Sequence, residues 1–598
     1  MKANTRTIPK AVIGAVALSL LIFAGSVPGN LAWSQEASDP QHTVEVPWNR
    51  WMDYGEVVST MERFAEAWPE FLTLESIGTS HGGREIMLMR INNPSTGTEL
   101  SKAAMYIEAN IHGNEIQGGE TSLYTIWYLM ENYGRVEKIT QLVDERVFYI
   151  IPCVNPDGRD YFMHGTGQGS RTGHVPVDDD NDGLFDEDPA DDMNGNGVIE
   201  TIRKYVPGQG THRISHLDSR LMEEVPPGEK GDWIVLGREG TDDDGDGRVN
   251  EDSVGGYDPN RNFAADWEPN YIQRGAMDYP FQLPATRAVN DFLMAHPNIA
   301  GVQTYHNSGG MILRPPGSEY RGEFTAEDLE AYDALGETGE RLLPFYEYMI
   351  LWNDLYTVHG GVLDWTADGL GIISFSNELW NGGQYFTSPD LKEDQQDPFS
   401  PITPRQGVAN LFFDDLLEFG NEYVEWAPFD HPVYGQVEMG GWKKTRGRLP
   451  PRFMQEELAH RNMAFTLYQA DEMPMMKVGE TSVEKVDDDV YRVRIDLSNP
   501  KIAPTVLEAA AQNKVVPPDL IVVEGDVDVL NAGWVENKFA PGANLRIDQH
   551  DLKRIMVRNG HPGRVTRTLE YLVRGDGDMT VRYVSVKGGT VEATVELN

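Results

Sequence analysis

His112 and Glu115 stand three residues apart in the segment Ile111-His112-Gly113-Asn114-Glu115. An imidazole nitrogen and a carboxylate oxygen at that spacing can turn toward one point and hold a zinc ion, which accepts both. A second pattern, D-x-[DN]-x-[DN]-G, occurs at Asp178-x-Asp180-x-Asp182-Gly183, Asp192-x-Asn194-x-Asn196-Gly197 and Asp242-x-Asp244-x-Asp246-Gly247. Each copy sets oxygen donors at alternate positions ahead of a glycine that allows a sharp turn, as EF-hand-like calcium loops do. Pro189, Arg203 and Ser253 fill the twelfth positions, where an EF-hand carries a bidentate glutamate. These are therefore calcium loops of another kind, with Asp186, Asp188, Glu200, Asn250 and Asp252 available to close the coordination. A solvated acidic stretch is the alternative, but nine acidic and no basic residues from Asp178 to Asp192 would repel one another strongly without a cation. Phe185, Ile199 and Val249, each two places after a loop glycine, are candidates to anchor the loops in a core.

The elements that must position these groups are legible around the histidine. Ala103–Ile111 reads as a buried strand and Ile116–Glu131, with apolar residues at helical spacing, as the helix after it. His112 and Glu115 fall in the turn between them, at the carboxyl end of a strand, where α/β sheets bind ligands. From about Val46 to Pro428 strand-like and helix-like stretches alternate, as an α/β domain requires. The acidic, Gly-rich segment 178–252 interrupts that pattern. Residues 429–474 read as a connector with a helix over Phe453–Ala470. Beyond 475, Tyr491, Val493, Ile495 and Leu497 alternate with Arg492, Arg494 and Asp496, and Met579–Val586 and Thr590–Leu597 flank Lys587-Gly588-Gly589. That is hairpin chemistry, and 475–598 is expected to be a β-sandwich-like domain.

With 598 residues, 40% apolar and 10% aromatic, the chain can bury a large core and divides into more than one domain. Its formal net charge of −44 excludes nucleic acid as a partner. Residues 1–34 have the layout of a secretory signal: Lys2, Arg6 and Lys10, the apolar run Ala11–Ala24, then Ala32-Trp33-Ser34, with cleavage expected after Ser34. The apolar run is shorter than the roughly 20 residues that cross a bilayer, so a permanent anchor is the weaker reading. The expected destination is the periplasm or the medium, with no membrane span after processing. The single cysteine, Cys153, lies in the apolar stretch Val147–Val154 and reads as a buried thiol with no disulfide partner.

Further motifs follow the histidine pair in order: Asn155-Pro156-Asp157-Gly158, Asp258-Pro259-Asn260-Arg261-Asn262, a strand-borne His306, Tyr356-x-x-x-Gly360-Gly361-x-x-Asp364-Trp365, and Phe375-Ser376-Asn377-Glu378-Leu379. With them the sequence resembles the M14 family of zinc carboxypeptidases over most of 46–428. The resemblance implies a mixed twisted sheet with helices on both faces and a secreted enzyme that removes residues from the free C-terminus of peptides or proteins. It implies that His112, Glu115 and His306 are the zinc ligands, with a fourth position open to water or substrate, and that Glu378 is the general base and acid. Asn260 and Arg261 match the residues that grip the terminal carboxylate, and Tyr356 matches the tyrosine that closes over it. Arg171 is the candidate for the arginine that stabilises the oxyanion, with Arg159 as competitor. Leu363 corresponds to the base of the pocket for the terminal side chain, where an apolar residue goes with apolar or aromatic preference. Asn114 stands where well-studied digestive members have arginine, and Asn307 where they have serine. Two alternatives remain at this level: the same chemistry on cell-wall peptides, and a non-enzymatic adhesion protein.

Overall fold

Alternation along the strands generates the two faces of the main sheet. The strands in chain order are β1 (Leu72–Thr79), β2 (Glu85–Ile91), β3 (Ala104–Ala109) and β4 (Val147–Ile151), then β5 (Thr201–Gly210), β6 (His212–Ile214), β7 (Met222–Glu224) and β8 (Gly231–Arg238) within the insertion. They continue with β9 (Ile299–Asn307), β10 (Met311–Arg314), β11 (Glu347–Ile350) and β12 (Ile373–Leu379). The main sheet has the order β1-β2-β4-β3-β9-β12-β10-β11. Its centre, from β4 to β12, is parallel, and β1, β2 and β10 add antiparallel pairings. Met105, Ile107 and Ala109 face the helices Tyr54–Ala67, Gln117–Asn132, Glu137–Glu145 and Gln455–Asp471. Ala104 and Tyr106, the alternate residues, face the helix Pro284–Ala295 on the other side.

This computed structural model describes residues 42–166, 171–178, 182–385, 403–536 and 545–598. The expected signal segment 1–34 and the candidate calcium ligand Asp180 lie outside them. Val44–Asn598 is one compact unit. Among the described residues no helix is long and apolar enough to cross a membrane.

The insertion holds more than acidic loops. Its four strands join β13 (Tyr423–His431) and β14 (Gly435–Trp442) in a second sheet of order β13-β14-β5-β8-β6-β7. The segment read as a connector thus supplies β14, which pairs antiparallel with β5 from the insertion. It also supplies the helix Gln455–Asp471, whose Ala459, Met463 and Leu467 enter the main core.

The first and third acidic loops are tied to each other with matching bonds. Asn250 N donates to Asp188 Oδ2 at 3.0 Å, and Asp186 N donates to Asp252 Oδ2 at 3.2 Å. Of the expected loop anchors, Ile199 is buried, whereas Phe185 is 58% exposed and Val249 only half-buried.

The C-terminal part is a sandwich of two sheets. One contains Lys477–Asp487, Val490–Asn499, Val565–Gly575, Val527–Val535 and Leu545–Arg546; the other contains Arg554–Val557, Asp519–Glu524, Gly577–Ser585 and Gly589–Leu597. Ile495, Leu569 and Tyr571 of the first meet Ile521, Met579 and Tyr583 of the second in a shared core. Two basic side chains hold the junction through backbone carbonyls, Arg146 on the segment that leads into the sandwich and Lys587 from the sandwich itself. Arg146 donates to the carbonyl oxygens of Asp471, Met473 and Pro474, and Lys587 Nζ to those of Leu370 and Gly371.

Candidate active site

β3 ends at Ala109, and Asn110 takes a φ of +57°, a left-handed turn that asparagine tolerates. Its Nδ2 donates to the carbonyls of His112 and Gly113, and this holds the turn closed. Gly113 lies so near Gly158 that a Cβ would meet its backbone at 2.6 Å. Below the turn, Arg159 pairs with Glu120 at 2.6 Å, both wholly buried, and donates to the Ile116 carbonyl and to Asn110 Oδ1. Arg159 is therefore committed to the scaffold, which removes it as competitor to Arg171.

The parallel ladder brings in the other groups. His306, on β9, stands directly opposite Glu378 on β12. His112 Nδ1 lies 3.0 Å from Glu115 Oε2 and 3.1 Å from His306 Nδ1, which in turn lies 3.0 Å from Glu115 Oε2. All three side chains are buried. Three side-chain donors converging on one point, two of them imidazole nitrogens, can hold a cation between them. Separations of about 3 Å suit ligand bonds of roughly 2.0–2.2 Å to a tetrahedral zinc, so the residues fit that metal. His112 Nε2, on the far edge of the ring, lies 2.9 Å from both Asp258 Oδ1 and Arg171 Nη2, contacts that orient the ring with Nδ1 toward Glu115 and His306.

Charges around this point are balanced through close contacts. Burial pushes the Glu115 carboxyl up, but His112 and Arg171 outweigh it and hold the group well below its usual range. Asp258, also raised by burial, is held well down by Arg261, His112 and Arg171. Glu378 goes the other way: burial, then the nearby Glu115, push it up to about 7, against His306, Arg171 and Arg448.

Arg171 donates from Nη1 to Glu115 Oε1 at 2.9 Å and lines the same cavity as His112, His306, Arg261, Tyr356 and Glu378. Arg261 is buried in the cavity wall, its Nη1 donating to the Asn260 carbonyl. Asn260 Oδ1 accepts from Val362 N at 2.9 Å, which ties the Asn-Arg pair to the segment carrying Leu363. Tyr356 is 44% exposed at the mouth. Leu363 is buried against Met311, Leu313, Leu351 and Val358, and with Leu355 most of these form the apolar side of the cavity.

Two contributors were not assigned from the sequence. Asp258 stands inside a quoted motif but had no role. Arg448 lies beyond every motif: its Nη1 donates to the Asn307 carbonyl and lies 3.5 Å from Glu115 Oε1. The one available signal was the basic run Lys443-Lys444-Thr445-Arg446-Gly447-Arg448 in a strongly acidic chain. Asn114, in the position of the digestive arginine, is buried, and Arg448 brings a guanidinium to the site by another route.

The insertion gathers carboxylates away from this cavity. Oxygens of Asp182, Glu187 and Asp244 lie within 4.8 Å of one another, as do those of Asp242, Asp244 and Asp246. Asp188 is fully buried with Oδ1 lacking a hydrogen-bond partner, and burial together with Glu251 raises it to about 7. Asp178 Oδ2 and Asp192 Oδ2 each accept from the glycine N that ends their own loop. Cys153 is buried and free, its thiol pushed up to about 12 by burial, as a core residue should be.

A buried His-Glu-His cluster beside a raised glutamate and a buried arginine defines a metallohydrolase-like site. Residues 57–190 and 233–399, half of the chain, match the family model for zinc carboxypeptidases, Peptidase M14. The chain belongs to that family. Residues 475–596 match a domain of unknown function, DUF8731. Among relatives, human carboxypeptidase D is 36% identical over 106 residues, which cover 18% of this chain and 8% of that protein. The inactive metallocarboxypeptidase ECM14 of Saccharomyces cerevisiae is 22% identical over 140 residues, 23% of this chain and 33% of that protein. The match therefore spans a small part of either relative. The crystal structure of thrombin activatable fibrinolysis inhibitor aligns with 58% of this chain and 74% of its own at 20% identity, with a TM-score of 0.39.

Proposed function

We propose that the chain is an exported zinc carboxypeptidase that hydrolyses the last peptide bond of peptides or proteins, with Glu378 as general base and acid. The observation that carries this reading is one cavity holding the His112-Glu115-His306 cluster, Glu378 opposite His306, and the buried Arg261. Zinc bound by those three residues supplies Lewis-acid polarisation of the scissile carbonyl and lowers the pKa of water. Glu378, set near neutrality, accepts a proton from the attacking water and returns it to the leaving amine. Arg171 faces the developing oxyanion, a preorganised charge of the kind that contributes on the order of 3 kcal/mol. Arg261, with Asn260, receives the substrate carboxylate in two-point contact, and Tyr356 closes over it. The apolar walls around Leu363 favour Phe, Leu and similar terminal residues. The signal-like segment 1–34 supports export.

The acidic insertion takes calcium in this reading. The matched cross-bonds of its first and third loops, and the orphaned oxygen of buried Asp188, support cations where carboxylates otherwise meet carboxylates.

Release of free amino acids from blocked dipeptides tests the main reading. Activity should vanish with a zinc chelator and return with zinc. Glu378→Gln should keep zinc but lose activity by about 10²–10⁴-fold. Near-normal turnover by that variant would remove Glu378 from the mechanism. A zinc-loaded chain that hydrolyses neither ordinary nor wall-derived peptides would instead favour a binding role.

A further inference from the structure

Glu239 follows directly after β8 and belongs to none of the three repeated patterns. It is 0% exposed, and neither of its carboxylate oxygens has a hydrogen-bond partner. Its backbone grips the second acidic loop at both ends: Glu239 N donates to the Glu200 carbonyl at 2.9 Å, and Asp191 N donates to the Glu239 carbonyl at 3.2 Å. Glu200 is buried as well, its two oxygens accepting from Asn194 Nδ2 at 2.9 Å and Asn196 Nδ2 at 2.8 Å. Asp192 fixes the turn by accepting from Asn196 N and Gly197 N. Among the described residues no lysine or arginine pairs with Glu239, Glu200 or Asp192. A carboxylate buried without hydrogen bond or counter-charge is costly to ionise, and Glu200, Asp192 and Asp191 add charge of the same sign around this one.

We propose that Glu239 is the closing ligand of a calcium site on the second loop, binding the ion together with Asp192, Asn194, Asn196 and Glu200. The proposal rests on the reading that the insertion takes calcium, and it adds a ligand that the loop pattern does not contain. Asn194 Oδ1 and Asn196 Oδ1 accept from Asn196 N and Val198 N; a half-turn of either amide gives up that bond and turns its oxygen toward Glu200 in place of its nitrogen, where it can serve as an acceptor for a cation. The donor set is then all oxygen, with three carboxylates. That excludes a site built for zinc or copper, which take nitrogen or sulfur. Calcium accepts six to eight oxygens in flexible geometry, including bidentate carboxylates, whereas magnesium demands a near-ideal octahedron. Because Glu239 directly follows β8 and Glu200 directly precedes β5, an ion held by both fastens the loop to two strands of the second sheet.

The test uses the zinc-loaded full chain, stripped of calcium and titrated with calcium alone, with calcium and zinc content measured in parallel. Glu239→Gln should lose one calcium per chain, or bind that one about tenfold or more weakly, with zinc and the remaining calcium unchanged. Asp192→Asn should lose the same equivalent. If Glu239→Gln matches the wild type in number and affinity while Asp192→Asn loses one, Glu239 is a buried neutral acid, and this proposal falls while the calcium reading stands. If the wild type takes up no calcium, both fall. Hydrogen exchange needs no variant: calcium should slow exchange at residues 192–201 and 236–241 of the wild type, and an unchanged rate there would also overturn the assignment.

Discussion

At the scale of single residues, the proposed preference for apolar terminal residues rests on Leu363. It lies 4% exposed on the apolar side of the cavity, on the segment that Asn260 ties to Arg261. A terminal Phe or Leu side chain placed there gains roughly 1.5–3 kcal/mol by burial, while a lysine ammonium without a counter-charge costs several. Substrates ending in Phe or Leu should therefore exceed those ending in Lys or Arg by at least about tenfold in kcat/KM. Leu363→Asp should narrow or reverse that ratio, with folding checked by circular dichroism because the leucine also packs against Leu313 and Val358. Rapid release of C-terminal Arg by the unmodified chain would refute the assignment. His112, Glu115, His306 and Glu378 were legible because ordered motifs carry them. Arg448 and Glu239 were not, since each acts through a neighbour brought up by tertiary folding and stands in no local pattern.

At the scale of elements, the unit that matters is strand, turn and helix from Ala104 to Asn132. The sequence placed the strand over Ala103–Ile111 and the helix over Ile116–Glu131, within two residues of the observed Ala104–Ala109 and Gln117–Asn132, because burial and helical spacing are local signals. The helix begins so close to the sheet that a Cβ on Gly118 would meet Tyr305 Cβ at 2.6 Å and Ala109 Cβ at 2.9 Å. Gly118→Ala should push the helix from β3 and β9, costing about 1–3 kcal/mol in chemical denaturation, and should weaken zinc retention because the turn carrying His112 and Glu115 leads into that helix while His306 lies on β9. Unchanged stability and zinc content would show that the helix start has room to move. The strands of the insertion were hidden for the opposite reason. β5 carries glycine and proline, and its partner β14 lies more than 200 residues away, so neither announces itself locally.

At the scale of the whole molecule, Lys587 ties the sandwich to the loop that leads into β12. Its ammonium is buried among carbonyls without a carboxylate, and burial lowers its pKa to about 7. The unfolded chain holds this proton up to about 10.4, so between pH 7 and 10 it binds more protons than the folded one. Stability from this group accordingly rises with pH across that window. Measured by denaturant unfolding, the difference between wild type and Lys587→Met should move in favour of the wild type by roughly 2–4 kcal/mol from pH 7 to pH 10. A difference independent of pH would show that Lys587 stays charged in the folded protein. The two-sheet C-terminal architecture was legible from alternation at Tyr491–Leu497. Its attachment was not, because single cations meeting distant carbonyls leave no periodic trace.

The pairing of β5 with β14, and the arrival of Arg448 beside Glu115 just after β14, also set an order of events during translation. Chains fold from the N-terminus as they are made. When His112, Glu115, His306 and Glu378 have all left the ribosome, the second sheet still lacks β13 and β14 and the cavity lacks one of its guanidinium groups. The candidate site of a nascent chain is thus unfinished until residue 448 has emerged, and a polypeptide cut short between residues 378 and 448 carries the whole His-Glu-His cluster without the site around it.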